Sequence, residues 1–279
     1  MARTKAKKII AIVESPHLKR LIDLLRQCGV TGFTVLEGRG GPLGYELSLR
    51  VDDDEEFGTE LTGNAGLQWR LDERWRAFAS AGRGFRAPNF NQLYSPGFLG
   101  GLFAGNPGLD PERSWSAEAG VRFRPSANQR LTLSAYSNWI DDLIAFAGAD
   151  SRAINVNQAR IRGLELRHRL TAGAWMSDLD VTLQDPEDRD AGRDLLRRAE
   201  FKGSWALDYR ASAAWRVGGE LVHVGERLDV GAAELASYTL VNLRSRLSLS
   251  PQWQLELRVD NLTDRDYQPL VGFNAADRR

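Results

Sequence analysis

The side chains with the greatest potential for chemistry are three histidines and a single cysteine. His17, His168 and His223 are far apart, and none stands at a metal-ligand spacing such as HExxH. Cys28 is the only cysteine, so it has no disulfide partner, and it has no neighbouring metal ligands. We expect it to be a small buried residue at the end of a helix. The sequence shows no arrangement of a nucleophilic side chain with a general base, and it therefore predicts no enzyme, no metal site and no cofactor.

Two short segments have compositions that binding sites also use. Gly38–Gly41 is not a phosphate-binding loop, because neither a Lys-Ser/Thr pair nor a helix follows it. The acidic run Asp52–Glu56 suits a hard cation, which prefers carboxylate oxygens. Acidic runs are usually solvated, so we favour an acidic external loop.

Composition limits the class of protein. The chain has 279 residues with 37 basic and 37 acidic side chains, so its zero net charge gives no case for nucleic-acid binding. No stretch approaches the roughly 18 apolar residues of a spanning helix. A mean hydropathy of −0.38 remains compatible with a membrane barrel, whose lumen is polar. After the basic start, the apolar run Ile9–Val13 is shorter than the roughly 7–15 residues of a signal-peptide core, so no export signal is predicted.

From Tyr45 almost to the end, apolar and polar residues alternate. Successive side chains of a strand point to opposite faces, so each such segment has one apolar and one polar face. In one segment the apolar side is Trp115, Ala117, Ala119, Val121 and Phe123, and the polar side is Ser116, Glu118, Gly120, Arg122 and Arg124. Eleven strands are predicted, at about 44–54, 61–71, 75–86, 113–125, 130–143, 159–171, 174–184, 199–210, 213–224, 237–249 and 252–262.

The connectors between these strands alternate between short and long. Tight turns lie at 71–74, 125–129, 171–173, 211–212 and 250–251, and long polar or glycine-rich stretches separate them. An up-and-down outer-membrane barrel has this arrangement, whereas a soluble sandwich need not sort its loops by length to one end. Tryptophans near the short turns resemble an interfacial girdle, namely Trp69, Trp75, Trp205, Trp215 and Trp253.

The predicted fold is mostly β: a portion of an antiparallel up-and-down membrane β-barrel, preceded by a short β-α-β segment. Eleven strands leave two free edges, and a closed bacterial barrel has an even number of strands. The predicted barrel is therefore incomplete. Within one predicted strand, His168 alternates with Leu164 and Leu166, so it is expected to face lipid near an interface or to pack as a neutral side chain.

Four motifs, in order, resemble those of TonB-dependent outer-membrane receptors. They are Gly84, Phe85, Arg86, Ala87 and Pro88, which resemble GFRAP; Gly105, Asn106 and Pro107 with Pro111 and Glu112, which resemble GNPxLxPE; Gly163 and Glu165, which resemble A-x-I-x-G-x-E; and Asn261, Leu262, Asp264 and Tyr267, which resemble V-x-NL-x-D-x-x-Y. The resemblance covers residues from about 44 to 274. It is closest to the vitamin B12 receptor branch, and siderophore receptors share much of it.

The resemblance implies a barrel of about 22 strands with a plugged lumen. It also implies surrounding outer-membrane lipid, a cobalamin-like or iron-siderophore ligand, and a TonB-type energy-coupling partner. Residues 42–279 are expected to correspond to the distal half of the barrel, without the plug, the coupling box or the last strand. No substrate-binding residues are assigned by it.

Residues 1–41 follow a different pattern. Ile9–Val13 is predicted to be a strand, Leu18–Leu25 carries a helical apolar stripe, and Phe33–Leu36 is predicted to be a second strand. This β-α-β order resembles the start of PII-like nitrogen-regulatory proteins. Two alternatives therefore stay open: a cytosolic nucleotide-binding regulatory module, and a non-functional fusion of two gene fragments.

Overall fold

The computed structural model describes residues 32–33, 38–40, 42–54, 56–97, 102–147 and 151–275, which form an almost wholly β structure. The strands are β1 (Gly32–Phe33), β2 (Gly38–Gly40), β3 (Leu43–Asp54), β4 (Gly58–Arg70), β5 (Trp75–Arg86), β6 (Glu112–Ser126), β7 (Gln129–Ala147), β8 (Arg152–Ala172), β9 (Trp175–Asp188), β10 (Arg193–Asp194), β11 (Phe201–Arg210), β12 (Trp215–Val224), β13 (Arg227–Leu228), β14 (Glu234–Leu235), β15 (Tyr238–Ser248) and β16 (Gln254–Val259). The described helical elements are α1 (Phe90–Tyr94) and a 3₁₀ turn, Val230–Ala232.

One antiparallel sheet contains most of these strands. Its order is β1-β3-β4-β5-β6-β7-β8-β9-β11-β12-β15-β16, so each long strand pairs with the long strands before and after it in the chain. β2 pairs with β3 and β10 with β9, while β13 and β14 form a separate hairpin. Within the described residues the sheet ends at β1 and β16 and is not closed. The predicted mostly β, up-and-down, incomplete-barrel fold is confirmed.

The eleven predicted strands correspond to the eleven sheet strands that have six residues or more. The largest differences lie at the long-loop ends, where β7 continues to Ala147 rather than ending at 143 and β8 begins at Arg152 rather than at 159. The alternation that predicted the strands is interrupted at Asp142, whose φ is 58°. Pairing nevertheless resumes beyond it, since Ala147 faces Arg152 in the ladder.

The sheet has one polar and one apolar face. Polar side chains of β3 through β9, including Glu46, Gln68 and Ser116, surround one cleft of about 1310 Å³, so this face is the concave one. The convex face carries exposed apolar side chains such as Leu67 and Trp115, which are 54% and 57% exposed. Exposed apolar surface of this extent marks a face that contacts another protein or a membrane.

His168 lies on β8 in alternation with Leu164 and Leu166. Its Nε2 lies 3.0 Å from Nε2 of Gln129, within hydrogen-bond distance. The imidazole therefore packs beside the first residue of β7, and its charge state stays a prediction.

Two glycines of the sheet lie under aromatic rings of the concave face. Gly120 is the register partner of Phe78, and Gly163 is the register partner of Tyr136. A Cβ at Gly120 would lie 2.6 Å from Phe78 Cζ, and one at Gly163 would lie 2.8 Å from Tyr136 Cζ. Each ring therefore packs closely over backbone that only glycine leaves open.

Seven of the eight tryptophans lie at two levels of the convex face. Near the short turns are Trp69, Trp75, Trp175, Trp215 and Trp253, which are 38% to 73% exposed. Trp205 was also predicted to lie near a short turn, and this prediction is wrong. Its register partners are Leu179 and Leu221, which lie in the middle of the sheet.

The second level was not predicted, and it consists of Trp115 and Trp139, which face each other across β6 and β7. Trp115 pairs with Arg83, eight residues along β5 from Trp75. At about 3.4 Å per residue this separation is about 27 Å along the strand, or about 22 Å perpendicular to a membrane after a typical barrel tilt. That height is close to the apolar band of roughly 25 Å in outer-membrane barrels.

The predicted N-terminal β-α-β segment lies mostly outside the described residues. Its second strand overlaps β1, where Phe33 pairs with Leu49 of β3. β2 also pairs with β3, through Arg39 and Gly44. The domain boundary between residues 41 and 42 stays a prediction.

Candidate functional site

Two of the four motifs meet at the long-loop end of β5 to β8, in a cluster that we call the loop platform (residues 84–95, 104–112, 142–146 and 153–155). β5 delivers Gly84, Phe85 and Arg86 to it, and Ala87 with buried Pro88 leads on to α1. Gly84 is closely approached, because a Cβ there would lie 2.8 Å from Ser114 Oγ.

The helix α1 was absent from the sequence prediction, although its signal is local. Asn89 Oδ1 accepts a hydrogen bond from Gln92 N at 2.9 Å, and Gln92 Oε1 accepts one from Asn89 N at 2.9 Å. This reciprocal pair is a capping box, with asparagine and glutamine at the usual spacing of three residues.

The second motif packs directly on the backbone of α1. Gly105 N donates to Ser95 O at 2.8 Å, and Asn106 N donates to Gln92 O at 2.7 Å. A Cβ at buried Gly105 would lie 2.7 Å from backbone atoms of Leu93, Tyr94 and Ser95. Glycine is therefore required for this close approach of two backbone segments.

The Asn106 side chain connects the loop to β8. Its Nδ2 donates to Ala153 O at 3.2 Å, and its Oδ1 accepts from Gly108 N at 3.0 Å. Pro107 is exposed at the tip, whereas Pro111 is buried immediately before β6. The motif thus shapes a turn whose two ends are both fixed.

Glu112 and Arg86 form a two-pronged ion pair across β5 and β6. Arg86 Nε donates to Glu112 Oε2 at 2.6 Å, and Arg86 Nη2 donates to Oε1. Glu112 Oε1 also accepts from Ile144 N at 2.7 Å. The hydrogen bond to Glu112 raises the pKa of Arg86. The pair therefore holds three strands together at the base of the platform.

The centre of the platform is apolar. Leu93, Leu109, Ile144 and Ala153 are buried together, and Phe57 and Phe146 pack against them. Four chain segments thus share one small core, which gives the platform a fixed shape despite its loop composition.

Asn155 holds the polar edge of the platform. Its Oδ1 accepts from Asp110 N at 2.9 Å, and its Nδ2 donates to Asp110 O at 2.9 Å and to Asp142 O at 2.7 Å. Asp142 lies beyond the level of Trp139, and burial together with the nearby Asp110 carboxylate raises its pKa.

A second cluster joins three other long loops around Asp229, and no sequence signal predicted it. Asp229 is fully buried, and its Oδ1 accepts from Arg197 Nε at 2.5 Å while its Oδ2 accepts from Val271 N at 2.7 Å. Burial alone would raise the pKa of Asp229, but the hydrogen bonds from Val271, Arg197 and Val230 hold it below its usual value. One carboxylate thereby fixes the segments around residues 197, 229 and 271.

The fourth motif forms a tight turn beside this cluster. Asn261 has a φ of 53°, and its side chain accepts from Arg265 N at 2.9 Å and donates to Arg265 O at 3.0 Å. Leu262 N donates to Val241 O at 2.7 Å. Asp264 also has a φ of 53°, and the ring of Tyr267 lies 4.3 Å from that of Tyr238. The motif therefore docks the tail onto β15.

The third motif lies apart from both clusters, on the sheet itself. Gly163 lies under Tyr136, whose hydroxyl donates to Gln184 Oε1 at 3.2 Å. Glu165 lines the cleft and accepts from Arg167 Nη2 at 3.0 Å. The structure thus brings the first two motifs together and keeps the third and fourth separate.

The described part of the chain contains no group of three or more His, Cys, Asp or Glu side chains placed to hold a metal ion. In the acidic run, Asp52 instead accepts from Arg50 Nε at 2.7 Å. None of the described helices has the length and apolarity needed to cross a membrane.

Comparison with known proteins identifies a family. The profile described as "TonB dependent receptor-like, beta-barrel" matches residues 33–262. The vitamin B12 transporter BtuB of Vibrio vulnificus is 35% identical over 230 residues, which are 80% of this chain and 36% of that protein. The vitamin B12 transporter BtuB of Photobacterium profundum is 29% identical over 245 residues, which are 84% of this chain and 39% of that protein. The chain thus spans little more than a third of the length of these curated relatives.

Solved structures share the fold. The ferric enterobactin receptor PfeA of Pseudomonas aeruginosa, as a G324V mutant, aligns with a TM-score of 0.68 at 20% identity, covering 86% of this chain and 42% of that chain. At this identity the likeness concerns the fold alone.

Proposed function

The chain belongs to the TonB-dependent receptor-like β-barrel family, and from this premise we propose that it forms wall strands of an outer-membrane receptor that takes up a cobalamin-like or iron-siderophore ligand. The observation that carries the proposal is the two-faced sheet. Its convex face is apolar with tryptophans at two levels, and its concave face is polar. Lipid outside and water inside require this division.

Of the two ligand classes, the cobalamin-like one has the stronger support. The relatives with the higher sequence identity are both vitamin B12 transporters, at 35% and 29%. The siderophore receptor matches at 20% and supports the fold alone. In this role the chain binds and admits a ligand, and it performs no catalysis.

The loop platform is the proposed external scaffold for ligand contact. It lies beyond the Trp115 level, on the side of the long loops, which face the outside in such barrels. Gly84, Gly105, Asn106 and Glu112 act there by fixing loop shape, since each packs against or hydrogen-bonds its neighbours. A TonB-type partner would supply energy from the opposite, short-turn side.

Membrane placement is tested with a matched pair of variants on β4. Leu67→Arg puts a charge on the convex face, and Asn64→Arg puts the same charge on the concave face. When the full chain is folded into lipid vesicles, Leu67→Arg is expected to lose about 2–4 kcal/mol of folding free energy and Asn64→Arg far less. Heat-modifiable mobility in gels measures the folded fraction. Equal effects, or a chain that remains soluble in its native host, would contradict the placement.

Ligand class is tested separately by calorimetry on the full chain in detergent micelles. Saturable binding of cyanocobalamin, without binding of ferric enterobactin, is the expected result. The reverse preference would overturn the cobalamin assignment. Binding of neither would contradict the ligand proposal and leave the membrane placement standing.

A further inference from the structure

The ladder between β4 and β5 stops before either strand ends. Its last pair is Gly63 with Arg83, although β4 begins at Gly58 and β5 continues to Arg86. Arg83 also pairs with Trp115, so the ladder stops at the outer level of tryptophans. Within lipid an interrupted ladder would leave backbone groups unpaired, whereas water can reach them beyond this level. A separation of the two strands is therefore compatible with a membrane at this place.

Beyond Gly63, β3 and β4 form a projecting hairpin, which we call the outer hairpin (residues 51–54 and 58–62). Its two strands stay paired as far as Asp54 and Gly58. On the other side of β3, β1 pairs only with Leu49 and Arg50, which lie below the outer hairpin. Among the described residues, no further strand pairs with either edge of the outer hairpin.

Gly63 marks the position at which the hairpin leaves the sheet. A Cβ at Gly63 would lie 2.6 Å from Ser48 O and 2.9 Å from Leu49 Cδ2, so β3 lies too close for a side chain. Glycine inside a strand is typical of a tight bend or of a close backbone approach. We therefore call Gly63 the hinge of the outer hairpin.

One buried carboxylate of the outer hairpin reaches across the gap. Glu60 is 6% exposed, and its Oε2 accepts from Arg83 Nη2 at 3.3 Å while its Oε1 accepts from Arg113 Nε at 2.8 Å. These arginines belong to β5 and β6, so Glu60 connects the outer hairpin to two strands with which it has no ladder. Loss of the carboxylate charge would leave two neighbouring cations without their shared partner.

The turn of the hairpin and the space beneath it complete the closed arrangement. Phe57, in the turn, packs against the apolar core of the loop platform. Between β4 and β5 lies a pocket of about 590 Å³, whose lining includes Thr62, Arg83 and Phe85. This volume is in the range of small-molecule sites.

We propose that the outer hairpin is a lid over this pocket, and that Glu60 is the latch that holds the lid closed. Opening turns the hairpin about Gly63 and away from β5, breaks both contacts of Glu60, and leaves the ladder below Gly63 intact. The sheet thereby opens sideways at its outer end. The inference goes beyond ligand uptake and does not depend on which ligand is transported.

The test measures a distance across the gap by pulsed electron paramagnetic resonance on the full chain in neutral detergent micelles. Nitroxide labels are attached at two exposed positions, through Leu61→Cys in the outer hairpin and Asn91→Cys in α1. Cys28→Ser removes the natural thiol. In this background Glu60→Gln is expected to add a population in which the labels lie further apart by about 5 Å, one strand spacing.

The matched control removes a glutamate charge where the ladder is continuous. Glu187 pairs with Arg160 between β8 and β9, and Glu187→Gln should leave the distance unchanged. A second label pair, Leu67→Cys/Leu164→Cys, lies below the hinge on strands that are joined by unbroken ladders. Its distance should stay the same in Glu60→Gln.

An unchanged distance between the first labels in Glu60→Gln would overturn the proposal. An equal increase in Glu187→Gln would show a general loosening and would also overturn it, and an increase at the second label pair would reject the hinge. Gel mobility with and without heating checks folding. If Glu60→Gln does not fold, Arg83→Gln, which removes the longer contact, is expected to add the same population in a smaller fraction of molecules. An unchanged distance in that variant would reject the latch.

Discussion

Arginines near the two ends of β5 differ in how their charges are balanced. In the loop platform, Arg86 meets Glu112 through two hydrogen bonds, and the neighbouring loop cluster buries Asp229 against Arg197. On the concave face near the short turns, Arg70, Arg76 and Arg122 lie side by side, and none of them forms an ion pair within the described residues. The loop platform thus has a fixed shape, whereas the three arginines near the short turns of β4, β5 and β6 repel one another.

The largest expected effect is at the paired end. Asp229→Ala removes a fully buried carboxylate and leaves Arg197 and Val271 N without their acceptor. We expect the free energy of unfolding to fall by about 3 kcal/mol. This value is at the lower end of the range for breaking a buried ion pair, because Arg197 is partly exposed. Urea unfolding in micelles, followed by tryptophan fluorescence, measures it. Asp260→Ala, in the exposed pair with Arg258, is the control and should change stability by less than about 0.5 kcal/mol.

The same carboxylate predicts a pH dependence. The pKa of Asp229 is lowered in the folded chain, so its contribution is present above its usual value of about 3.8 and is lost as the pH falls through the folded pKa. The difference in urea midpoint between the natural chain and Asp229→Asn should be constant from pH 7 to 5 and narrow below about pH 4. A difference that widens on acidification would mean that the carboxylate is not held ionised by its partners.

A smaller loss is expected from the close backbone contact in the platform. Gly105→Ala places a Cβ 2.7 Å from backbone atoms of Leu93, Tyr94 and Ser95 and should cost about 2 kcal/mol. Gly108→Ala in the same loop meets only Asn106 Oδ1, at 3.4 Å, and serves as the control. Thermal unfolding of both variants should place Gly105→Ala several degrees below Gly108→Ala. Equal melting temperatures would show that α1 and the loop do not pack as described.

The smallest expected effects concern two arginines of β5, whose replacement should change the free energy of unfolding in opposite directions. Arg86→Gln removes the partner of Glu112 and should lower the free energy of unfolding by about 1 kcal/mol, since the pair is half-exposed and partly screened. Arg76→Gln relieves repulsion from its two register partners and should raise it by about 0.2–1 kcal/mol. Urea midpoints at low salt compare the two. If both substitutions change the free energy of unfolding in the same direction, the two arginines do not differ in the way described.

The fold was largely predictable because alternation is a local signal. The strand from Trp75 to Arg86 matches its predicted span of 75–86. The alternation of apolar and polar residues is interrupted at Asp142, so the sequence did not predict that β7 extends beyond this residue. The helix α1 was also missed, because its signal consists of only two residues, Asn89 and Gln92.

The clusters were less predictable because their contacts are distant in sequence. Asp229 meets Arg197 across 32 residues and Val271 across 42, and no periodicity connects these positions. The side-by-side placement of Arg70, Arg76 and Arg122 emerges only when the register of three strands is known. The motif residues were found by resemblance, and their part in ligand uptake stays a prediction.

The aromatic rings over Gly120 and Gly163 also constrain how the sheet is assembled. If β6 slips by one residue against β5, Phe78 meets Ala119 or Val121 instead of Gly120, and a side chain occupies the space of the ring. The same slip between β7 and β8 brings Arg162 or Leu164 under Tyr136. A misregistered hairpin would therefore lose the close contact between ring and glycine, so these two positions favour the native register of the sheet.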